Sequence, residues 1–289
     1  MRSFLFVPAD SDRKLEKGLS SRADALLIDL EDSVALAQKS QARERAVAFL
    51  RAHVAVTGRP RLFVRVNSLT SGLIDDDLEA VVGAKPDGIL LPKAEGATSV
   101  IHTDAKLSVR EAIYGIEDRH TRIIAIATET AASLFLAGTY RGASPRLVGL
   151  TWGAEDLSTE LGAETNRDAA GRFLDPYRLA RTLCLAGASS AQVQPIDTVY
   201  IDFRNDAGLK LECEEARREG FAGKMAIHPA QVAIINEMFT PTAEAVARAK
   251  AIVAAFAGKP DAGVIGIDGV MYDRPHLTRA QQLLARARP

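Results

Sequence analysis

Eight short apolar runs recur along the chain, separated by longer stretches in which apolar residues return every third or fourth position. The runs are 4–8 (FLFVP), 25–30 (ALLIDL), 62–67 (LFVRVN), 88–92 (GILLP), 122–128 (RIIAIAT), 147–152 (LVGLTW), 197–201 (DTVYI) and 223–228 (GKMAIH). Most are continuously apolar, as strands buried on both faces must be. Between them, 33–52 carries Val34, Ala37, Ala46, Val47 and Leu50 at helical spacing, and 176–187 carries Leu179, Leu183 and Ala186. A charged helix over 209–219 is closed by Gly220. Alternating strand and helix predicts parallel βαβ units. Eight such units predict a closed (β/α)8 TIM barrel rather than an open doubly wound sheet. The segment 95–121 shows no clear period, and no element is predicted there.

The barrel is expected to occupy 1–238, including a helix over 229–238. The remaining 239–289 forms a C-terminal helical extension. It contains a helix over 242–257, a glycine-rich stretch over 258–269, the string VMYDRPHL and a last helix ending near Arg288. A lone barrel does not need this tail. It is expected to cover a barrel mouth, its own or that of a neighbouring subunit.

Composition narrows the class. Of 289 residues, 47% are hydrophobic and 25% charged, which excludes a predominantly disordered chain. Lys and Arg number 36 against 37 Asp and Glu, so no nucleic-acid coat or polybasic membrane arm is expected. Cys184 and Cys213 show neither CxxC nor zinc spacing and are expected as buried, reduced thiols. The N-terminus has no signal-peptide pattern, and no run reaches the roughly 20 apolar residues of a membrane helix, so the expected location is the cytoplasm. The GxGxxG, GxxxxGK[ST] and GxSxG motifs are missing from the sequence, which leaves dinucleotide, P-loop and serine-hydrolase chemistry without support.

In a TIM barrel the chemistry sits at the C-terminal ends of the strands. Polar residues that follow the apolar runs are therefore candidates. Glu129 and Asp156 follow consecutive strands, where two carboxylates can converge on a hard cation. With waters and substrate oxygens they would suit the octahedral preference of magnesium. The alternative is a helix cap for Glu129 and a surface ion pair for Asp156. Glu31 and Asp32 either support that metal through water or start the following helix as cap and first-turn acid. Arg65, between Val64 and Val66, must meet an internal carboxylate or bind an anionic substrate. Lys93, after the fourth run, admits Schiff-base chemistry or a structural role. His228 in Ile-His-Pro is expected to be a structural strand-end histidine.

These residues lie in strings that resemble one family. RSFLFVPA (2–9), DALLIDLEDSV (24–34), FVRVN (63–67), LLPKAE (90–95), ETAA (129–132), GAEDLSTELG (153–162), DTVYIDFRNDAGL (197–209), GFAGKMAIHPAQV (220–232) and DGVMYDRPHL (268–277) occur in order. Together they resemble the citrate lyase β-subunit-like (CitE-like) branch of the HpcH/HpaI aldolase superfamily, close to malyl-CoA and citramalyl-CoA lyases. The resemblance implies a homotrimeric or hexameric (β/α)8 barrel that uses magnesium and takes coenzyme A as part of its substrate. It implies cleavage or formation of a carbon–carbon bond in citramalyl-CoA, malyl-CoA or citryl-CoA, giving an acyl-CoA and an α-keto acid. It implies Glu129 and Asp156 as metal ligands, Glu31 and Asp32 as acids behind them, and Arg65 as the substrate-binding catalytic arginine. Asp273 matches a catalytic acid/base that reaches a neighbouring subunit's site. Arg13 and Lys14 are candidates for coenzyme A phosphates. A malyl-CoA thioesterase, a coenzyme A-independent 2-keto acid aldolase, and a carrier-dependent citrate lyase β subunit inactive alone are the alternatives. The sequence departs from the family's usual pattern at Ala9-Asp10 and at Trp152, both of which bear on the substrate pocket.

Overall fold

The computed structural model describes residues 1–287. Eight parallel strands close into a barrel in chain order: β1 (Ser3–Pro8), β2 (Ala25–Asp29), β3 (Arg61–Arg65), β4 (Gly88–Leu91), β5 (Arg122–Ile126), β6 (Leu147–Thr151), β7 (Gln194–Asp197) and β8 (Gly223–Ala226). Closure comes from β1 beside β8, with Phe4 opposite Met225. The helices of this unit are α1 (Asp12–Leu19), α2 (Lys39–His53), α3 (Ile74–Val81), α4 (Gly96–Ile113), α5 (Ala131–Leu136), α6 (Ala154–Glu160), α7 (Asp175–Ala191), α8 (Asp206–Glu219) and α9 (Pro229–Phe239). The fold is the predicted (β/α)8 barrel with a helical C-terminal extension.

The period of two along each strand sorts side chains between lumen and helix layer. Phe4, Ala25, Leu27, Phe63, Leu90 and Ile124 belong to one lumenal cluster, joined by Ile126, Ile196 and Met225. The barrel is thus a packed core, and in this fold chemistry belongs at its C-terminal mouth.

Three elements differ from the sequence pattern. The seventh strand is Gln194–Asp197, so only Asp197 of the run 197–201 belongs to it and 198–201 follow as loop. Pro195 disguises the strand because it donates no hydrogen bond, but its carbonyl accepts from Ala222 N–H at 2.9 Å. The second helix starts at Lys39, not near Ser33. The Lys39 ammonium donates to the carbonyls of Leu30 and Glu31 at 2.6 and 2.7 Å, which holds that stretch as a loop. The patternless 95–121 contains the 18-residue helix α4. Its buried positions do recur, as Val100, Thr103, Leu107 and Glu111, but two of the four are polar. Glu111 is masked as a core position because it pairs with the fully buried Arg146 at 2.7 Å.

Contacts divide the chain into two compact units, Met1–Asn236 and a second from Glu237 onward. The second unit contains α10 (Ala243–Ala257), an antiparallel hairpin of β9 (Val264–Ile267) and β10 (Val270–Asp273), and α11 (Arg274–Arg286). Asp268 and Gly269 both take positive φ, +50° and +77°, which is the two-residue hairpin turn that Asp-Gly favours. Its core gathers Ala249, Ile252, Phe256, Ile265 and Ala280. Arg288, the expected end of the last helix, lies outside the described residues. Cys184 and Cys213 are free and buried, and burial raises both thiols well above the ordinary value. Among the described residues no helix is long and apolar enough to cross a membrane.

Candidate active site

The site grows from the lumenal alternation of β2 and β3. Ala25 and Leu27 face inward, so the next inward residue is Asp29; Phe63 faces inward, so the next is Arg65. The register sets Asp29 directly opposite Arg65. The two form a bidentate pair, Nε to Oδ1 at 2.7 Å and Nη2 to Oδ2 at 2.6 Å. The Phe6 ring lies 4.9 Å beneath the guanidinium. Burial alone would raise the Asp29 carboxyl, but the bonds and charge of Arg65 outweigh it and hold Asp29 below the usual range. Of the two fates open to it in the sequence, Arg65 thus meets the internal carboxylate, and it also lines a cavity at the mouth.

Around this pair the neighbouring loops add acids and one lysine. Arg65 Nη1 reaches Glu31 at 3.0 Å and Asp32 at 3.4 Å. Lys93 Nζ donates to Glu31 Oε1 at 2.6 Å and faces Asp156 at 3.6 Å. Lys93 has a left-handed backbone, φ +49°, and its N–H donates to Glu129 Oε2 at 2.6 Å. Burial pushes the Glu31 carboxyl up to about 7, against the pull of Arg65 and Lys93. For Lys93, burial is outweighed by the Glu31 bond and the surrounding acids, so its ammonium is held above the usual lysine range. A lysine held protonated is no nucleophile, which speaks against Schiff-base duty.

Glu129 is 4% exposed and makes no ion pair among the described residues. Burial first, and the Asp156 charge second, push its carboxyl well above the ordinary range. Five carboxylates (Asp29, Glu31, Asp32, Glu129, Asp156) thus surround two cations, Arg65 and Lys93. This excess of carboxyl groups over cations, with Asp29, Glu31 and Glu129 buried, suits a hard divalent ion. Among the described residues no three Asp, Glu, His or Cys side chains converge tightly enough to hold a metal by themselves. Glu129 and Asp156 would contribute two positions of an octahedron, leaving the others to water and substrate oxygens. The donor set fits magnesium on those terms.

A cavity of about 350 Å³ opens here, lined by Arg65, Glu129 and Asp156 together with apolar residues including Ile126, Trp152 and Met225. Gly153 is required beside it: a Cβ there would lie 2.6 Å from Glu129 Cγ. An adjoining cleft shares Phe6, Pro8 and Ile227 and is bordered by Lys14 and Lys17. Lys14 pairs with Asp10 at 3.1 Å, and Arg13, exposed on α1, lines neither space. His228 stacks on Phe203 at 4.7 Å and accepts from Ala230 N–H at 3.2 Å, a structural use. Asp273 belongs to the second unit. It caps α11, where its carboxylate accepts from His276 N–H at 3.3 Å and bonds the His276 ring.

Sequence reasoning assigned no role to Asp29, because its partner is set by register, nor to Lys39. Lys39 also donates to Asn67 at 2.9 Å, and Asn67 in turn is fixed by Asp77. This bracing holds the loop that presents Glu31 and Asp32. The readable signal was charge inside an apolar run.

A (β/α)8 barrel with an acid-rich, cation-seeking cavity at its C-terminal mouth is a common enzyme architecture. Comparison with known proteins makes the class specific: the HpcH/HpaI aldolase/citrate lyase model matches residues 2–229, and the chain belongs to this family. It is 36% identical to a (3S)-malyl-CoA thioesterase of Cereibacter sphaeroides, over 99% of this chain and 94% of that protein. It is also 36% identical to the citrate lyase subunit beta of Escherichia coli, over 99% and 93%. Among solved structures it resembles CitE of Mycobacterium tuberculosis in complex with magnesium, acetoacetate and coenzyme A (TM-score 0.79, 33% identity, 99% and 97% covered). A second is the Mycobacterium tuberculosis citrate lyase beta subunit complexed with oxaloacetate and magnesium (TM-score 0.71, 32% identity, 83% and 96% covered).

Proposed function

We propose that this protein is a magnesium-dependent carbon–carbon lyase that cleaves, or in reverse forms, a 3-hydroxyacyl-CoA thioester. The observation that carries the reading is the buried, unpaired Glu129 beside Asp156 and the Arg65 guanidinium at one barrel mouth. A magnesium ion held by Glu129 and Asp156 would supply Lewis-acid polarisation of the hydroxyl and carboxylate oxygens at the acid end of the substrate. Arg65, oriented by Asp29, pairs with that carboxylate and offsets the negative charge that grows as the hydroxyl loses its proton. The bond between the carbinol carbon and the thioester α-carbon then breaks. A carboxylate of the surrounding cluster takes the hydroxyl proton, the O–H pair becomes the new carbonyl of a 2-oxo acid, and the electron pair of the broken bond goes to the thioester enolate. Asp273, from a neighbouring subunit of a homotrimer or hexamer, protonates the enolate carbon, or takes a proton from acetyl-CoA in reverse. Lys14 is the better placed of the two coenzyme A candidates, since it borders the adjoining cleft. Among the described residues Arg65 is the one cation lining the cavity, so the pocket balances one carboxylate at the acid end. That ranks citramalyl-CoA and malyl-CoA above citryl-CoA.

The (3S)-malyl-CoA thioesterase among the relatives supports a second reading, hydrolysis of the thioester. One experiment separates them. Purified protein is incubated with malyl-CoA, citramalyl-CoA and citryl-CoA, with magnesium and with excess EDTA, and products are resolved by chromatography. A shorter acyl-CoA plus a keto acid, lost with EDTA, establishes the lyase. Free coenzyme A with intact hydroxy acid establishes the thioesterase. No turnover of any thioester refutes both and points to a carrier-dependent subunit or a free-acid aldolase.

A further inference from the structure

Trp152 is among the residues lining the cavity, yet it is 1% exposed and anchored through charge. Its indole Nε1–H donates to Asp197 Oδ1 at 2.8 Å. Lys224 Nζ donates to Asp197 Oδ2 at 2.7 Å and to Glu212 Oε1 at 2.7 Å. Arg167 donates to Glu212 Oε2 at 2.9 Å and lies 3.6 Å over the Phe173 ring. Phe173 meets Trp152 edge-on, with centroids 5.0 Å apart, and the ring of contacts closes. Asp197 and Lys224 are fully buried.

An apolar pocket would hold a tryptophan against a wall without any buried charge, and a neutral acceptor would satisfy its N–H. Burying an Asp and a Lys to do so costs desolvation and contributes little net stability. What the arrangement does confer is one orientation, because the indole is gripped at its nitrogen and along its edge. Trp152 also directly precedes Gly153, the residue packed on Glu129. Trp152 is therefore fixed relative to the Glu129 carboxylate.

We infer that Trp152 is a specificity-determining residue, limiting the substituent on the carbinol carbon to hydrogen or methyl, and that Asp197 is the residue that positions it. This rests on the reading of the cavity as the site for the keto-acid end. A rigid apolar wall discriminates by size, and one surplus methylene there is worth roughly 10- to 200-fold.

The test is calorimetric binding of pyruvate, 2-oxobutyrate and 2-oxoisovalerate to the full-length protein in saturating magnesium. The wild-type protein is expected to bind pyruvate more than tenfold tighter than 2-oxoisovalerate, and Trp152→Phe to shrink that ratio about tenfold. Trp152 is the single tryptophan of the chain, so intrinsic emission reports it alone. Asp197→Asn is expected to shift that emission to the red, raise its quenching by acrylamide and narrow the size ratio. A purely structural Asp197 would lower the melting temperature and leave emission and ratio unchanged. If Asp197→Asn does not fold, Phe173→Ala opens the same ring at its half-exposed edge, and unchanged emission and ratio there overturn the positioning role. Wild-type protein that binds pyruvate, with a Trp152→Phe ratio equal to its own, overturns the specificity role alone. Wild-type protein that binds none of the three acids refutes the functional reading, and this inference with it.

Discussion

A single methyl group at Gly153 tests the site most sharply. An added Cβ would lie 2.6 Å from Glu129 Cγ, 3.0 Å from Oε1 and 3.2 Å from Cδ. Carbon pairs rest at about 3.5–4.0 Å, so the overlap is on the order of 1 Å. Glu129 has little room to retreat, being 4% exposed and tied to Lys93 N–H at 2.6 Å. Either the carboxylate swings and loses a charge-assisted bond, worth about 1.5–3 kcal/mol, or the end of β6 moves, at about 1–3 kcal/mol of overpacking. About 2 kcal/mol falls on the carboxylate geometry in the first case. Since each 1.4 kcal/mol is tenfold in affinity, Gly153→Ala should weaken magnesium binding roughly thirtyfold.

The assay is calorimetric titration with magnesium chloride, paired with differential scanning calorimetry. Gly138→Ala is the control, because a Cβ there meets nothing within 4 Å. The expected pattern is weaker magnesium binding and a melting temperature lower by a few degrees for Gly153→Ala, with both near wild type for Gly138→Ala. A lower melting temperature with unchanged magnesium affinity would mean that the strand moved and Glu129 does not hold the ion. No change in either would refute the packing argument itself.

Other perturbations probe the rest of the molecule. Lys224→Met leaves Asp197 and Glu212 without the ammonium between them, a loss of about 3–5 kcal/mol in urea unfolding, nearer the lower figure because Arg181 stays 3.3 Å from Asp197; a loss under about 1 kcal/mol contradicts this. Burial alone would raise Asp87, but Arg59, Leu62 N–H and Arg61 hold it below the usual carboxylate range. Its contribution is therefore present above the ordinary carboxylate value, near pH 4, and is lost as pH falls further. Melting temperature against pH should drop along that limb, and Asp87→Asn should flatten it; an unaltered slope refutes the assignment. Asp273→Asn should lower turnover by orders of magnitude with keto-acid affinity and melting temperature unchanged, since asparagine caps a helix as well as aspartate. Near-normal turnover removes Asp273 from the mechanism, and recovered activity on mixing it with Arg65→Ala subunits would mark a donor from a neighbouring subunit.

How much of this was legible depended on whether the information lay within one strand or between two. Within a strand, an apolar run that ends in a charged residue declares both a buried element and a group at the barrel mouth. Arg65, Lys93, Glu129 and the 153–156 segment were all readable in that way. Pairings across strands were not. Asp29 sits in the run 25–30 like any polar interruption, and only the register opposite Arg65 turns it into the orienting partner. The same holds for Trp152 and Asp197, 45 residues apart and joined through one N–H. Asp197 seemed to begin a strand because Pro195 broke the pattern before it, whereas it ends that strand and faces the neighbouring Lys224. Helix α4 was hidden by Thr103 and Glu111, polar residues at core positions whose partners are distant in sequence. The hairpin that carries Asp273 had a signal, Asp268-Gly269 between β-prone residues, which a glycine-rich reading passed over.

These cases share one physical cause. A polar residue is affordable inside a protein only when a partner satisfies it. Its presence in an apolar run is therefore visible from local pattern, while the identity of the partner is a property of tertiary register. For this chain, local pattern was enough to pick out the charged residues that the fold gathers at the strand ends. What distinguishes its pocket from a generic acid-rich barrel mouth, the Asp29 brace on Arg65 and the charged ring behind Trp152, lies wholly in contacts between strands. The features that carry specificity are for that reason the ones best tested by paired substitutions, in which the effect of one residue vanishes when its partner has already been removed.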